Sequence, residues 1–208
     1  MKSLYIILIL AALLLLAGCD SGVEYWIRND TSHLAWVRME DSAEIELAPG
    51  EAHTFKFSTA REHIFNSNVK REVELWAQGE TYQMVYEEDG ELRPTDSSEF
   101  IMEAGERRTG YLTPNRACFK VVNNSNQTVH RAELRKHKDG EEYFEANLGS
   151  IAPGESSYRR VPYATANNNF YYTARITFED DTELVYGDSN NILSVDEMFL
   201  ITLNPPSE

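Results

Sequence analysis

The sequence predicts an all-β protein: two tandem immunoglobulin-like antiparallel β-sandwich domains behind an N-terminal segment left out of the fold. Three observations carry this. Apolar and polar residues alternate over short runs from Glu24 onward, with no sustained helical period. Turn residues (Gly, Pro, Asn, Asp) punctuate those runs at close spacing. The same order of runs and turns then occurs twice, and each copy has about the length of one sandwich.

In the first copy, EYWIRNDTS opens with Tyr25 and Ile27 on one face and Trp26 and Arg28 on the other. Asn29, Asp30 and Thr31 then turn the chain. HLAWVRM resumes with Ala35, Val37 and Met39 together. IELAPGEAHTFKF reads as strand, Pro-Gly turn, strand, and the turn suits type II with Gly50 at positive φ. VELWAQGETYQMVYE reads as two strands around Gln78, Gly79 and Glu80. FIMEAGERRTGYLTP reads as strand, glycine turn, strand.

The second copy keeps that order. CFKVVNNSN matches EYWIRNDTS, pairing Tyr25 with Phe119, Ile27 with Val121, Asn29 with Asn123 and Thr31 with Ser125. Val37 then pairs with Ala132 and Met39 with Leu134. APGE recurs at Ala152–Glu155. ETYQMVY pairs with DTELVY through Met84–Leu184, Val85–Val185 and Tyr86–Tyr186. YLTP pairs with TLNP through Leu112–Leu203 and Pro114–Pro205. Offsets change only between runs, so length differences fall in loops. The expected domains are residues 24–114 and 118–208, the second a duplicate of the first. Pro114 stiffens their join at Thr113–Ala117, which limits swing.

Ahead of these lies MKSLYIILILAALLLLAGCDS. Lys2 precedes an apolar run, Leu4–Leu16, of 13 residues. A spanning helix needs about 20, so the run fits the h-region of a signal peptide. Leu16-Ala17-Gly18-Cys19 resembles the lipobox of bacterial lipoproteins at every position. The resemblance implies a signal peptide over 1–18 and cleavage before Cys19. It also implies lipid attachment at Cys19 and location in the bacterial cell envelope, on the periplasmic side. Asp20 resembles the inner-membrane retention signal of enterobacterial lipoproteins. The tether, 19–23, reaches about 17 Å when extended, so the membrane and a membrane-proximal protein or glycan are the expected partners.

A formal net charge of −15 repels nucleic acid at long range, and no nucleic-acid partner is expected. Cys118 is the one cysteine left in the mature chain, so no intrachain disulfide forms. It opens the apolar strand CFKVV and reads as a small hydrophobe, with a reactive thiol as the sharper alternative. GxSxG, HExxH, P-loop and CxxC motifs are missing. No catalytic, metal or cofactor residue is therefore expected. His53 and His63 lack metal spacing. The acidic runs at Glu87–Asp89 and Glu179–Asp181 lack the spacing of a calcium loop.

One segment, HRAELRKHK, runs against the acidic background. Arg131 and Arg135 share one strand face, Lys136 and Lys138 the other, with Arg159 and Arg160 expected nearby. Together they form a candidate patch for an anionic partner. Trp26 and Trp36 lie off the expected core faces, either as an aromatic surface or as packing for the opposite sheet. The leading expectation is a membrane-tethered, non-catalytic binding or assembly module. The alternatives are a hydrolase of envelope glycans, whose paired carboxylates need not be adjacent in sequence, and a calcium-stabilised adhesin.

Overall fold

A computed structural model describes residues 22–58 and 70–205. Cys19, Asp20, the signal peptide and His63 lie outside the described residues. The described chain is all β, with sixteen strands and no helix.

In the N-terminal half, β1 (Val23–Asn29) lies between β4 (Ala52–Phe57) and β9 (Arg107–Leu112). Facing them is a four-stranded sheet in the order β3 (Ile45–Leu47), β2 (Ala35–Met39), β5 (Lys70–Gly79), β8 (Ser97–Glu103). Val23, Ile27, Phe55 and Leu112 from the first sheet meet Ala35, Val37, Met39, Leu47, Val73, Leu75, Ala77 and Met102 from the second in one buried cluster. These are alternate residues along their strands, as a sandwich core requires.

The C-terminal half repeats the plan. β10 (Ala117–Asn123) lies between β13 (Ser156–Val161) and β16 (Met198–Leu203). The facing sheet runs β12 (Glu141–Asn147), β11 (Val129–Lys138), β14 (Tyr171–Phe178), β15 (Glu183–Tyr186). Its separate core includes Phe119, Val121, Leu134, Tyr172, Ile176 and Ile201. Each half thus divides seven strands three and four between two facing sheets.

The structure corrects two readings. The sheets are not wholly antiparallel: β1 pairs parallel with β9, and β10 with β16. First and last strands run the same way because each half closes on its own N-terminal strand. The adjoining runs β3/β4 and β8/β9 belong to opposite sheets, so the turn within each crosses from one sheet to the other. Alternation shows that a run is a strand, but not which edge it joins. Finally, Met84, Val85 and Tyr86 are not the counterparts of Leu184, Val185 and Tyr186. They lie in β6 (Met84–Glu88), which pairs with β7 (Glu91–Thr95) in a separate two-stranded ribbon. The strand beside β5 is β8, as β15 is beside β14. The ribbon is therefore an insertion between β5 and β8.

The repeated tetrapeptide carries the same hydrogen bonds in both halves. Gly50 and Gly154 take φ of 77° and 82°. Their N–H groups donate to the carbonyls of Asn29 and Asn123 at 2.8 and 2.7 Å. The Asn29 and Asn123 side chains are fully buried. Asn29 Nδ2 donates to the His33 and Leu47 carbonyls, and Asn123 Nδ2 to those of Gln127 and Ile151. Each Oδ1 accepts from an amide and a hydroxyl, those of Thr31 and Ser125 respectively. A buried asparagine with all its bonds made stabilises one arrangement. Here each ties the end of a first strand to the turn that crosses between the sheets.

Candidate functional site

The two halves meet over a polar junction built from their unequal loops. The outward residues of β10 and β13 face the N-terminal half: Cys118, Lys120, Tyr158 and Arg160. Lys120 Nζ pairs with Glu80 Oε1 at 2.5 Å, and the Glu80 side chain is only 4% exposed. Arg160 Nη1 donates to Asp96 Oδ1 at 3.0 Å and to the Tyr82 carbonyl at 3.2 Å. Asp196 accepts from the Ser32 amide at 2.8 Å and the Thr81 hydroxyl at 2.6 Å. Trp36 stacks on Tyr158, ring centroids 5.9 Å apart at 17°. Asn115 in the join exchanges two bonds with the backbone of Gln83.

Cys118 takes part in this junction. It is fully buried yet absent from the core of its own sandwich. Burial, reinforced by the Glu80 charge, pushes its thiol up to about 12. Burial likewise pushes the Tyr158 hydroxyl up to about 12. At neutral pH Cys118 is a protonated, enclosed thiol, the opposite of a nucleophile's setting.

The expected patch for an anionic partner is divided by the sheet. Arg131, Glu133, Arg135 and His137 lie on the solvent face of β11, beside Tyr171, Thr173 and Arg175 of β14. Lys136 turns the other way: its Nζ sits 4.2 Å from the centre of the Phe170 ring and 3.9 Å from Glu145. Lys138 stands opposite Glu141 at the hairpin end. On the arginine face, Glu133 accepts from Arg135 at 2.5 Å and pairs with Arg131 at 3.4 Å. Glu142 lies 3.9 Å from Arg135, 3.5 Å from Arg175 and 3.8 Å from His137. Arg159 and Arg160 sit on β13 in the other sheet, and Arg160 belongs to the junction.

Sequence reading missed Phe144. A bulge makes Leu134 oppose Ala146 but Arg135 oppose Phe144, skipping Glu145. Without that extra residue Phe144 would fall on the core face. With it, the ring stands in solvent at 57% exposure beneath the Arg135 guanidinium, 5.5 Å away.

A second feature is an open groove of about 720 Å³ on the N-terminal half, lined by Arg38, Glu40, Asp41, Ser42, Glu72, Glu74 and Glu99. Glu74 and Glu99 stand directly opposite each other in the ladder. Among the described residues, no group of three or more His, Cys, Asp or Glu is placed to hold a metal ion. Asp180 instead caps its own hairpin, accepting from the Thr182 amide at 3.0 Å. Trp26 contacts Tyr111 edge-on, and Trp36 serves the junction.

No protein-family model and no curated protein matches the chain in sequence. Among solved structures, the Bacillus anthracis TIE protein aligns with 89% of the chain at 11% identity and a TM-score of 0.25, and the chain spans 34% of its length. A Bacteroides uniformis protein ascribed to cell adhesion aligns over 89% of this chain and 94% of its own, at 8% identity and a TM-score of 0.32. The major pilin T3.2 of Streptococcus pyogenes aligns over 90% and 98%, at 12% identity and 0.24. These scores fall below the level at which a shared fold follows.

Proposed function

We propose that this chain is a bacterial envelope lipoprotein, held at a membrane through Cys19, whose two duplicated sandwiches act together as one stiff, non-catalytic binding module. The observation that carries the reading is the junction. Ionic, hydrogen-bonded and stacked contacts from Glu80, Asp96, Trp36 and Thr81 to Lys120, Arg160, Tyr158 and Asp196 fix one half against the other. A preorganised pair of sheets presents its surfaces without an ordering cost at binding. The LAGC sequence and the three residues between Cys19 and Val23 support placing the N-terminal half against the bilayer.

The test is cross-linking of the full chain in native membranes, followed by identification of what it captures. A defined envelope protein or glycan joined to the wild type supports the module. The opposed Glu74 and Glu99 in an open groove favour a second reading, hydrolysis of an envelope glycan. Turnover of purified envelope polysaccharide that is abolished by Glu74→Gln or Glu99→Gln would replace the first reading with the second.

A further inference from the structure

We propose that the solvent face of the β12-β11-β14 sheet is a binding site for a carboxylate-bearing polysaccharide. The proposal rests on the reading of the chain as a binding module and names its ligand class. Three features of the face carry it.

The first is charge. Arg131, Arg135 and Arg175 share two carboxylates, Glu133 and Glu142. These three strands thus carry one guanidinium in excess, with Glu183 of the edge strand β15, opposite Thr177, the next carboxylate on the face, in a chain of net charge −15. Arg135 Nε is buried with no hydrogen-bond partner, while the Arg131 and Arg175 side chains are about half exposed, 51% and 44%. The Arg131 and Arg175 N–H groups are available to a ligand oxygen.

The second is the kind of cation. All three are arginines, whose planar forks match a carboxylate in a way that lysine does not. The lysines of the same segment face elsewhere. A long-range field cannot attract an anion to so acidic a protein, so recognition depends on this short-range geometry.

The third is the bulge. Bulges re-aim side chains and cluster near functional sites. This one places Phe144 on the arginine face, where a lone exposed phenylalanine has no core to fill. Beside it His137 and Tyr171 stack at 4.6 Å and 2°, held by His137 Nε2 against the Thr173 hydroxyl at 2.8 Å. A flat apolar ring beside guanidinium groups suits the apolar face of a sugar ring that bears a carboxylate.

The test uses the full chain in detergent micelles and three soluble probes: polygalacturonate, a neutral glucan of similar length, and glycerophosphoglycerol, the phosphatidylglycerol headgroup without its acyl chains. The proposal expects binding to polygalacturonate that weakens with salt, with no binding to the glucan. Each of Arg131→Gln and Arg175→Gln, both exposed and safe for folding, should weaken binding roughly tenfold, the worth of one charge-assisted bond. Phe144→Ala should weaken it comparably, and Lys138→Gln should leave it unchanged. Equal binding by wild type and the arginine variants overturns the proposal. So does binding to the headgroup but not to polygalacturonate, which would assign the face to a lipid surface. The anchor reading is scored separately, by the mass of the same preparation, so the two can fail independently.

Discussion

Replacing Asn123 with alanine tests the reading of the repeated APGE turn as one half of a buried latch. Four hydrogen bonds converge on that side chain: two donated by Nδ2 at 2.9 Å each, and two accepted by Oδ1 at 3.1 and 2.6 Å. Alanine leaves the half-buried Ser125 amide without its acceptor and leaves the Ser125 hydroxyl only the Gln127 carbonyl. The carbonyls of Gln127 and Ile151 each keep one other donor, the Ser125 hydroxyl and the Val129 amide. At about 1 kcal/mol per bond, reduced for what the carbonyls retain, the loss is about 3 kcal/mol. In a sandwich of this size that lowers the melting temperature by roughly 10–20 °C. Asn123→Asp should cost at least as much, because it aims a carboxylate oxygen at two carbonyls. The neighbouring Asn124 has an exposed side chain, so Asn124→Ala is the control and should stay within about 0.5 kcal/mol of wild type. The assay is urea unfolding followed by tryptophan fluorescence and far-ultraviolet circular dichroism. Unfolding of Asn123→Ala within about 1 kcal/mol of wild type would refute the latch.

Other predictions concern the junction and the sheet faces. Lys120→Met strands the Glu80 carboxylate and should cost about 3 kcal/mol, most of it recovered in the Glu80→Gln/Lys120→Met double variant; denaturant titration of both variants beside the wild type checks it. Cys118 should resist alkylation in the native protein at pH 8 and become reactive in Lys120→Met, so its labelling rate reports opening of the junction. Its pKa rises from an ordinary value of 9.0 to about 12 on folding. Above pH 9 the unfolded chain therefore binds fewer protons than the native one, and stability falls as pH climbs toward 12. That slope should be shallower in Cys118→Ala, read from melting temperatures between pH 8 and 11. Gly187→Ala combines a φ of 79° with a Cβ 2.8 Å from the Tyr172 carbonyl and should cost about 2 kcal/mol or more by thermal melting. Glu74→Lys replaces a like-charged pair across the ladder and should stabilise by up to about 1 kcal/mol, a gain that salt reduces.

Much of the fold was legible because strand alternation and turn chemistry are local. Asn29 with Asn123, Thr31 with Ser125 and Leu112 with Leu203 were aligned from sequence, and each pair occupies the same place in its own half. Strand partnership was not legible. The runs MVY and LVY alternate alike, so nothing in them told that Met84–Tyr86 belongs to an inserted ribbon. The junction was hidden for a related reason. Glu80, Thr81 and Asp196 look like ordinary loop residues until two distant loops meet. One trace was available: Cys118 and Lys120 occupy the outward positions of an otherwise apolar strand, where a buried cysteine needs some covering surface. The candidate patch was half legible. Its arginines were visible as a charge run, but the bulge that brings Phe144 among them depends on a register that no single strand encodes.

The central claim is a binding module held at a membrane through Cys19, and the intact mass of the full-length gene product extracted from bacterial membranes tests it most directly. The account predicts a membrane-fraction chain that begins at Cys19 and carries two or three acyl chains, with Cys19→Ala losing that mass increment. A chain that keeps residues 1–18, or one with an unmodified Cys19 in the soluble fraction, would contradict it.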